Sequence, residues 1–266
     1  MLALSSRPDY TFAAKFLTTQ YGKATKSHLM RAIKLINNAK MQPTEMKIPN
    51  LGSVKDWLLV GISDASNKTA REVFSVGGHV VILVNKNTAA ASVIHWSSKK
   101  IERVVSSSFA AETLALQKAT GSLFLARKLL EGFLGQEAEK IECLAITDCS
   151  DLWSAIHNMK SCGDNRLQAD IINIKQAIND DRTVQELRLV DSSYMLADCL
   201  TKQTNLTGEL LLNTIRNGVY HIPGGSRLRD STKTSVKTWH QLVIAEEQEE
   251  NVQSVKKVDF GGVTYF

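Results

Sequence analysis

Two short apolar segments, each ending just before an aspartate, constrain the fold of this chain most strongly. The first covers residues 58–62 and precedes Asp64, and the second covers residues 144–146 and precedes Asp148. Apolar runs of this length predict buried strands, and in open α/β sheets ligands bind at the carboxyl ends of the strands. If the two strands are parallel neighbours, the aspartates lie about 5 Å apart. Carboxylates held that close repel each other unless a cation lies between them.

The rest of the pattern predicts a mixed α/β fold behind a helical N-terminal segment. Two helices, at about residues 10–21 and 27–39, are joined at Gly22 and form a helical hairpin. A linker with Pro43, Pro49 and Gly52 follows, so we place a domain boundary near residue 55. We therefore expect three regions: a basic helical segment at 1–54, an α/β domain at 55–205, and a C-terminal helix with a loosely ordered tail at 206–266.

Within the α/β domain, the strand and helix patterns alternate. Strands are predicted at 57–63, 79–85, 91–97, 143–147 and 184–190, and helices at 108–130, 151–157, 165–178 and 206–217, with another helix beginning near Tyr194. The first three strands have short connections, which favour an antiparallel meander, whereas the later strand–helix–strand order favours parallel pairing. The acidic cluster of Glu246, Glu247, Glu249 and Glu250 falls in the predicted tail.

The excess of basic over acidic side chains lies entirely in the N-terminal segment of the chain. Residues 1–56 carry nine basic and three acidic side chains, whereas the later residues carry 23 basic and 24 acidic ones. Such a segment can follow a phosphate backbone, but lysines spaced along helices are just as often a solvated face, and both interpretations stay open. The four cysteines form no Cys-x-x-Cys pair, and no apolar run is long enough for a membrane span. We expect a reducing, intracellular setting and no membrane partner.

Two further acids are candidates for the same site as Asp64 and Asp148. Helical spacing places Glu112 on the inward-facing stripe of its helix, and Asp198 lies among apolar residues. A carboxylate that points toward a core needs a partner or an ion. Taken singly, Asp64, Asp148 and Asp198 could each cap a helix or begin a turn, and Glu112 could interact with the dipole of its helix. Helix capping by each acid separately does not predict that four acids converge at one place. Their joint placement therefore favours a metal site.

Four motifs surround these acids. They are His95-Trp96-Ser97-Ser98-Lys99-Lys100, the stretch from Ser107-Ser108-Phe109 through Glu112 to Leu116, Leu196-Ala197-Asp198-Cys199-Leu200-Thr201-Lys202, and Arg7-Pro8-Asp9-Tyr10-Thr11-Phe12-Ala13. They resemble the ribonuclease H region, with its preceding connection segment, at the end of the Pol polyprotein of copia-type retrotransposons. The resemblance covers about residues 5–220. The chain would then be a polyprotein fragment, a cleaved product or a degenerate copy, since it has no Tyr-x-Asp-Asp polymerase motif.

The resemblance implies a ribonuclease H-like mixed five-stranded sheet with flanking helices and a catalytic set of Asp64, Glu112, Asp148 and Asp198. This set would hold two Mg²⁺ ions, with Mn²⁺ as a substitute, and the protein would hydrolyse the RNA strand of an RNA–DNA hybrid. The implied partners are the hybrid and the polymerase portion of the same polyprotein. The implied location is a cytoplasmic virus-like particle, with a nuclear stage allowed. Phosphate contacts are expected from Lys99, Lys100, Ser106, Ser107 and Ser108, although the alternative for Ser108 is a helix N-cap alone.

Three neighbours of the acids depart from the family pattern and keep two rival hypotheses open. Ser66, Ala110 and Cys149 stand where the family often has an acid, an acid and an asparagine. These departures favour a catalytically impaired ribonuclease H-like module that binds nucleic acid or assists assembly. The second rival is a DNA-cutting nuclease of the integrase type, in which the glutamate comes last in sequence. In this chain Glu112 comes second.

Overall fold

A mixed five-stranded sheet forms the centre of the fold in the computed structural model, which describes residues 7–67, 74–157, 165–179, 183–202 and 205–224. The strands are β1 (Trp57–Ser66), β2 (Val76–Asn85), β3 (Ala91–Lys100), β4 (Glu142–Thr147) and β5 (Glu186–Leu189). Their order across the sheet is β3-β2-β1-β4-β5. The first three strands pair antiparallel, and β4 lies parallel to both β1 and β5. The predicted mixed five-stranded sheet with flanking helices is therefore confirmed.

Six α-helices accompany the sheet in the described part of the chain. They are α1 (Thr11–Thr19), α2 (Lys26–Met41), α3 (Ser108–Leu134), α4 (Ser150–His157), α5 (Asn165–Asn179) and α6 (Asn205–Asn217). Helices α1 and α2 form the predicted hairpin, and Thr25 caps α2 by accepting a hydrogen bond from the backbone N–H of His28. None of the described helices is long and apolar enough to cross a membrane. The predicted tail, with its acidic cluster, lies outside the described residues, and the proposed domain boundaries stay predictions.

Alternation along the strands divides the core into two layers. Val60 and Ile62 of β1 are fully buried on one face, against Leu200 and the segment around it. Leu59 is buried on the opposite face, against Leu123 of α3. Successive strand residues point to opposite faces, so an apolar run such as 58–62 is the pattern of a strand covered on both sides. The sheet therefore lies between α3 on one face and residues 195–200 with α6 on the other.

The helix predicted to begin near Tyr194 is wrong. The chain instead forms two 3₁₀ helices, Ser192–Tyr194 and Asp198–Leu200, separated by Met195 in an extended conformation. Asp191 accepts a hydrogen bond from the backbone N–H of Ser193, and a side chain that bonds locally in this way competes with α-helical bonding. Residues 195–200 are buried on every side. The apolar run that suggested a helix therefore belongs to a tight segment covered by the sheet.

The segment between α2 and β1 has little regular secondary structure, but buried hydrogen bonds attach it to the rest of the fold. Leu51 is buried in the α3 layer of the core, and its carbonyl accepts hydrogen bonds from Trp57 Nε1 and Asn85 Nδ2, both at 2.9 Å. Arg7, which is only 3% exposed, pairs with Asp9 and donates to the carbonyl of Gln42 at the end of α2. Satisfied buried polar groups of this kind fix the chain without regular secondary structure.

Candidate metal centre

The carboxylates of Asp64, Asp148 and Asp198 converge at one end of the sheet. Each offers one oxygen, and these oxygens all lie within 4.8 Å of one another. Asp64 is 1% exposed, Asp198 is 9% exposed and Asp148 is half-buried. The parallel register brings the first two together, because Ile62 pairs with Ile146 and each aspartate stands two residues further along its chain. Three anionic groups are thus held close together in a largely dry environment.

Asp198 reaches the sheet from the layer that contains the 195–200 segment. Thr201 holds this segment against the sheet, because its Oγ1 donates a short hydrogen bond to Asp64 Oδ2. This close approach depends on Gly78, which pairs with Asp64 in the neighbouring strand. A Cβ atom on Gly78 would lie 2.8 Å from Leu200 Cβ and 2.8 Å from Thr201 Cγ2. Glycine at this position therefore lets the Asp198–Leu200 turn lie directly on the sheet.

Replacing Gly78 by alanine is expected to lower the free energy of unfolding by about 2 kcal/mol, because overpacking a closed contact displaces backbone and side chains. The displaced turn carries Asp198, so the affinity for Mg²⁺ should fall as well. Urea unfolding and a Mg²⁺ titration of thermal stability measure the two effects. Gly121→Ala on α3 is the matched control. Its Cβ meets nothing within 4 Å, and alanine in a helix interior should stabilise by about 0.5–1 kcal/mol. Equal stability of the two variants would contradict the role assigned to Gly78.

Glu112 approaches the three aspartates from the opposite face of the sheet. It lies near the start of α3, where Ser107 caps the helix by accepting from the backbone N–H of Ala110. Glu112 Oε1 accepts a hydrogen bond from the backbone N–H of Ala65 at 3.2 Å. Its second oxygen, Oε2, is buried and has no hydrogen-bond partner among the described residues. An orphaned buried carboxylate oxygen is costly unless an ion or a proton satisfies it.

Mutual repulsion and burial shift the acid–base properties of this cluster. Burial and the neighbouring Asp198 raise the pKa of Asp64 to about 7, although Lys202 and Thr201 oppose the shift. Burial, Asp64 and Asp148 raise the pKa of Glu112 to about 9. The pKa of Asp148 is also raised, first by burial and then by Asp198. Burial is the largest cause in each case, because a buried carboxylate loses the hydration that stabilises its charged form.

Lys202 is a member of the site that the sequence reasoning missed. Its Nζ lies 3.4 Å from Asp64 Oδ1 and 3.2 Å from Asp198 Oδ1. Burial lowers the pKa of Lys202, but the two carboxylates more than offset this and raise it overall. The signal was present in the sequence, since Thr201 and Lys202 are the last two residues of the motif around Asp198. A lysine four residues after an acid is a possible counter-ion for that acid.

The residues present fit a hard divalent cation. The four carboxylates supply only oxygen ligands, which Mg²⁺ prefers. The buried, unpartnered Oε2 of Glu112 is an oxygen that a bound cation could satisfy. The side chain of Lys202 is 43% exposed on a flexible stem, so its ammonium group would have room to lie toward solvent if the carboxylates held a metal ion.

The predicted nucleic-acid contacts lie at the same end of the sheet. Lys99 and Lys100 end β3 and are exposed, and Val76, the partner of Lys100 on β2, pairs in turn with Ser66 of β1. Ser106, Ser107 and Ser108 are exposed at the start of α3, one turn before Glu112. The cap of this helix is Ser107, so the alternative that made Ser108 the N-cap is wrong. Ser108 is the first residue of the helix.

No protein-family model matches the chain, and no curated protein matches it. Similar solved structures include RNase H1 from Halobacterium salinarum NRC-1, with 13% identity and a TM-score of 0.38 over 54% of this chain and 93% of that one. The LC11-RNase H1 complex with RNA/DNA hybrid gives 18% identity and 0.37 over 54% and 93%. The foamy viral protease-reverse transcriptase in complex with RNA/DNA hybrid gives 13% and 0.34 over 74% of this chain and 28% of that one. Because these identities and TM-scores are low, it is the strand order of the sheet that defines the fold.

Proposed function

We propose that this protein is a metal-dependent endonuclease that hydrolyses the RNA strand of RNA–DNA hybrids during the reverse transcription of a retrotransposon. The observation that carries the proposal is the convergence of Asp64, Asp148 and Asp198 beside the unpartnered oxygen of Glu112. Repelling carboxylates in a buried position are unfavourable without a cation, so their presence together is evidence for a site. Two Mg²⁺ ions, replaceable by Mn²⁺, would supply an activated water and stabilise the leaving oxygen of the phosphodiester.

Each acid has a separate role in this proposal. Asp64 and Asp148 each lie two residues beyond the paired Ile62 and Ile146 at adjacent strand ends, so both would act as metal ligands. Asp198 enters from one face of the sheet and Glu112 from the other, and each would complete the ligand set of one ion. The backbone N–H of Ala65 orients Glu112 by donating to its Oε1, and the hydroxyl of Thr201 orients Asp64. Such positioning contacts hold ligands in a productive geometry.

The surface beside the acids would bind the hybrid. Lys99 and Lys100 are placed for phosphate contacts, and the exposed hydroxyls of Ser106, Ser107 and Ser108 lie at a helix N-terminus, where backbone N–H groups favour anions. Contacts to 2′-hydroxyls would identify the RNA strand. We also propose that the basic hairpin of α1 and α2 derives from the connection to a polymerase, whose remaining part would be the natural partner of this chain.

One observation favours a second candidate function. Lys202 already pairs with both Asp64 and Asp198, so an internal cation partly neutralises the site. Together with Ser66, Ala110 and Cys149, this favours a catalytically impaired module that binds nucleic acid or assists assembly. In that case the ion pairs of Lys202 would be permanent, and the carboxylates would contribute to the structure without turnover.

Incubation of the purified chain with a labelled RNA–DNA hybrid in Mg²⁺ separates the two candidates. We expect the parent protein to cut the RNA strand, and we expect Asp64→Asn and Asp148→Asn to reduce cleavage to the level of a blank without protein. Each substitution removes a charged ligand while keeping the size of the side chain. Gel analysis of the labelled RNA strand over time gives the rate.

Asp56→Asn is the matched control, because Asp56 immediately precedes β1 at the end opposite the acids. This variant should cut at the parental rate. Binding of the hybrid without cleavage in either Mg²⁺ or Mn²⁺ would refute the nuclease and support the module. Cleavage that survives both Asp64→Asn and Asp148→Asn would point to a contaminating enzyme.

A further inference from the structure

A groove outside the carboxylate site runs between α1 and the edge strand β3. It consists of two adjoining cavities of about 510 and 320 Å³. Both are lined by Lys15 of α1 and by Ser98 and Lys99 of β3. Volumes of this size are typical of ligand pockets. The groove, which we call the α1–β3 groove, shares Lys99 and Lys100 with the surface proposed to contact the hybrid, whereas its α1 wall has no role in the proposed cleavage.

Two phenylalanine rings in the wall of this groove each lie near a cation. Phe16 and Phe74 are half-buried in its wall. The guanidinium of Arg31 lies 5.4 Å from the ring centre of Phe16, and Lys100 Nζ lies 5.5 Å from that of Phe74. Rings flanked by cations are the combination that binds unpaired nucleotides, because the rings stack with bases and the cations contact phosphates.

The charge of the groove selects an anionic occupant. Lys15, Lys99 and Lys100 line it and are all exposed, whereas Glu102 is the single acid among its lining residues. Because Lys15 and Lys99 line both cavities and Lys100 lines one of them, these cations can neutralise successive charges of a polyanionic backbone. Such a lining suits a nucleic-acid strand better than an extended peptide, although the exposed Ile94 shows that the edge of β3 is accessible.

The groove lies within a short reach of the acids. Ser98 in its wall pairs with Gly78, and Gly78 pairs with Asp64, so two strand spacings separate Ser98 from Asp64. That is about 10 Å, or roughly three nucleotide rises along a helical strand. A strand that leaves the acids toward β3 would therefore reach the groove within a few nucleotides.

We propose that the α1–β3 groove binds an unpaired, single-stranded segment that continues one strand of the hybrid beyond the cleavage site. The inference rests on the proposed function, since it takes the hybrid as the molecule held at the acids. It assigns the N-terminal hairpin a direct role in substrate binding. The enzyme would then prefer a hybrid with a single-stranded extension over a fully paired hybrid.

Binding of fluorescent hybrids in EDTA tests the groove without cleavage. The probes are a blunt RNA–DNA hybrid, four versions that each carry a six-nucleotide extension at one strand end, and the single strands alone. The substitutions are Lys15→Gln, which removes one exposed charge, and Phe16→Leu, which removes the ring but keeps an apolar side chain. The matched control is Lys86→Gln, an exposed lysine directly after β2 at the opposite end of the sheet. Thermal unfolding verifies that all variants are folded.

We expect one extended hybrid to bind about tenfold more tightly than the blunt hybrid, a gain in the range of one stacked base. Lys15→Gln and Phe16→Leu should each remove most of this gain and leave binding of the blunt hybrid unchanged, and Lys86→Gln should retain the gain. Lys15→Gln should also reduce the salt dependence of binding to the extension by about 0.7 in log–log slope. Phe16→Leu should leave that slope unchanged, since it removes no charge.

The inference is overturned if no extended hybrid binds more tightly than the blunt one, or if the gain survives both variants. A second copy of the chain is the alternative occupant of the β3 edge. If Ile94→Lys blocks self-association of the chain while both groove variants bind the extended hybrid like the parent, β3 pairs with a second copy and the inference is overturned. Failure of the proposed function is a separate result, namely no binding of the blunt hybrid and no cleavage in Mg²⁺. In that case the binding of the single strands decides. Single-strand binding that is lost in both Lys15→Gln and Phe16→Leu supports the groove, and absence of single-strand binding by the parent protein refutes it.

Discussion

Replacing Glu112 by glutamine is expected to raise the free energy of unfolding of the metal-free protein by about 3 kcal/mol at pH 7 and to abolish cleavage. In the folded chain the pKa of Glu112 is raised to about 9, first by burial and then by Asp64 and Asp148. The unfolded value is about 4.5, and each pKa unit corresponds to about 1.4 kcal/mol. Glutamine has no charge to desolvate. Its Oε1 can still accept from Ala65, and its amide can donate to the aspartates.

The pH dependence follows from the same shift. Because the folded pKa lies above the unfolded one, the folded state binds more protons between about pH 4.5 and 9. The stability associated with protonated Glu112 is fully present below pH 4.5 and is lost as the pH rises toward 9. Asp64 acts in the same direction up to about pH 7. Glu112→Gln should therefore flatten the decline in stability at neutral and alkaline pH.

Urea unfolding in EDTA at several pH values measures this effect, with Glu142→Gln as the control. Glu142 is an exposed carboxylate at the start of β4, so its substitution should change stability by less than about 0.5 kcal/mol. Addition of Mg²⁺ should stabilise the parent protein more than Glu112→Gln, because a bound ion stabilises only the state that binds it. A Glu112→Gln variant that is less stable than the parent in EDTA would show that the carboxylate is satisfied without metal.

Acidification should destabilise the protein through a second buried group, His79, by about 3 kcal/mol at pH 4. His79 lies on β2, is 8% exposed, and its Nε2 is 2.8 Å from Ser122 Oγ. Burial and the neighbouring charges of His95, Lys99 and Lys118 lower its pKa to about 4. Between pH 6.5 and 4 the unfolded chain therefore binds a proton that folded His79 does not. Stability is fully present above pH 6.5 and is lost as the pH falls through this window.

His79→Gln should remove this loss, because glutamine can still bond to Ser122 and does not titrate. The quantity to measure is the difference in unfolding free energy between variant and parent from pH 7 to pH 4, since the carboxylate site contributes with the opposite sign to both proteins. His221→Gln replaces an imidazole at the surface and serves as the control. A parent and a His79→Gln variant with parallel stability profiles would show that His79 is protonated in the folded state above pH 4.

Local patterns were sufficient to predict most of the sheet and three of the acids. Strand patterns placed Asp64 and Asp148 each at the carboxyl end of a strand, and the structure makes these two strands parallel neighbours. Helical periodicity placed Glu112 on a buried face, where it lies. These predictions succeed because side-chain spacing along a strand or helix is a property of the local backbone. The same logic failed at residue 194, where an apolar run without an exposed face imitated a helix.

The sequence by itself therefore determined the approximate positions of the strands and of the long helix α3, and it singled out the four acids as candidates. Only the tertiary structure decided that Asp198 reaches Asp64, that Thr201 donates to Asp64, and that Lys202 stands between the carboxylates. Asp64 and Thr201 are 137 positions apart, so no local period relates them. They meet because Gly78 leaves room for Leu200 and Thr201 on the sheet. Close packing of distant segments, rather than backbone spacing, sets such contacts.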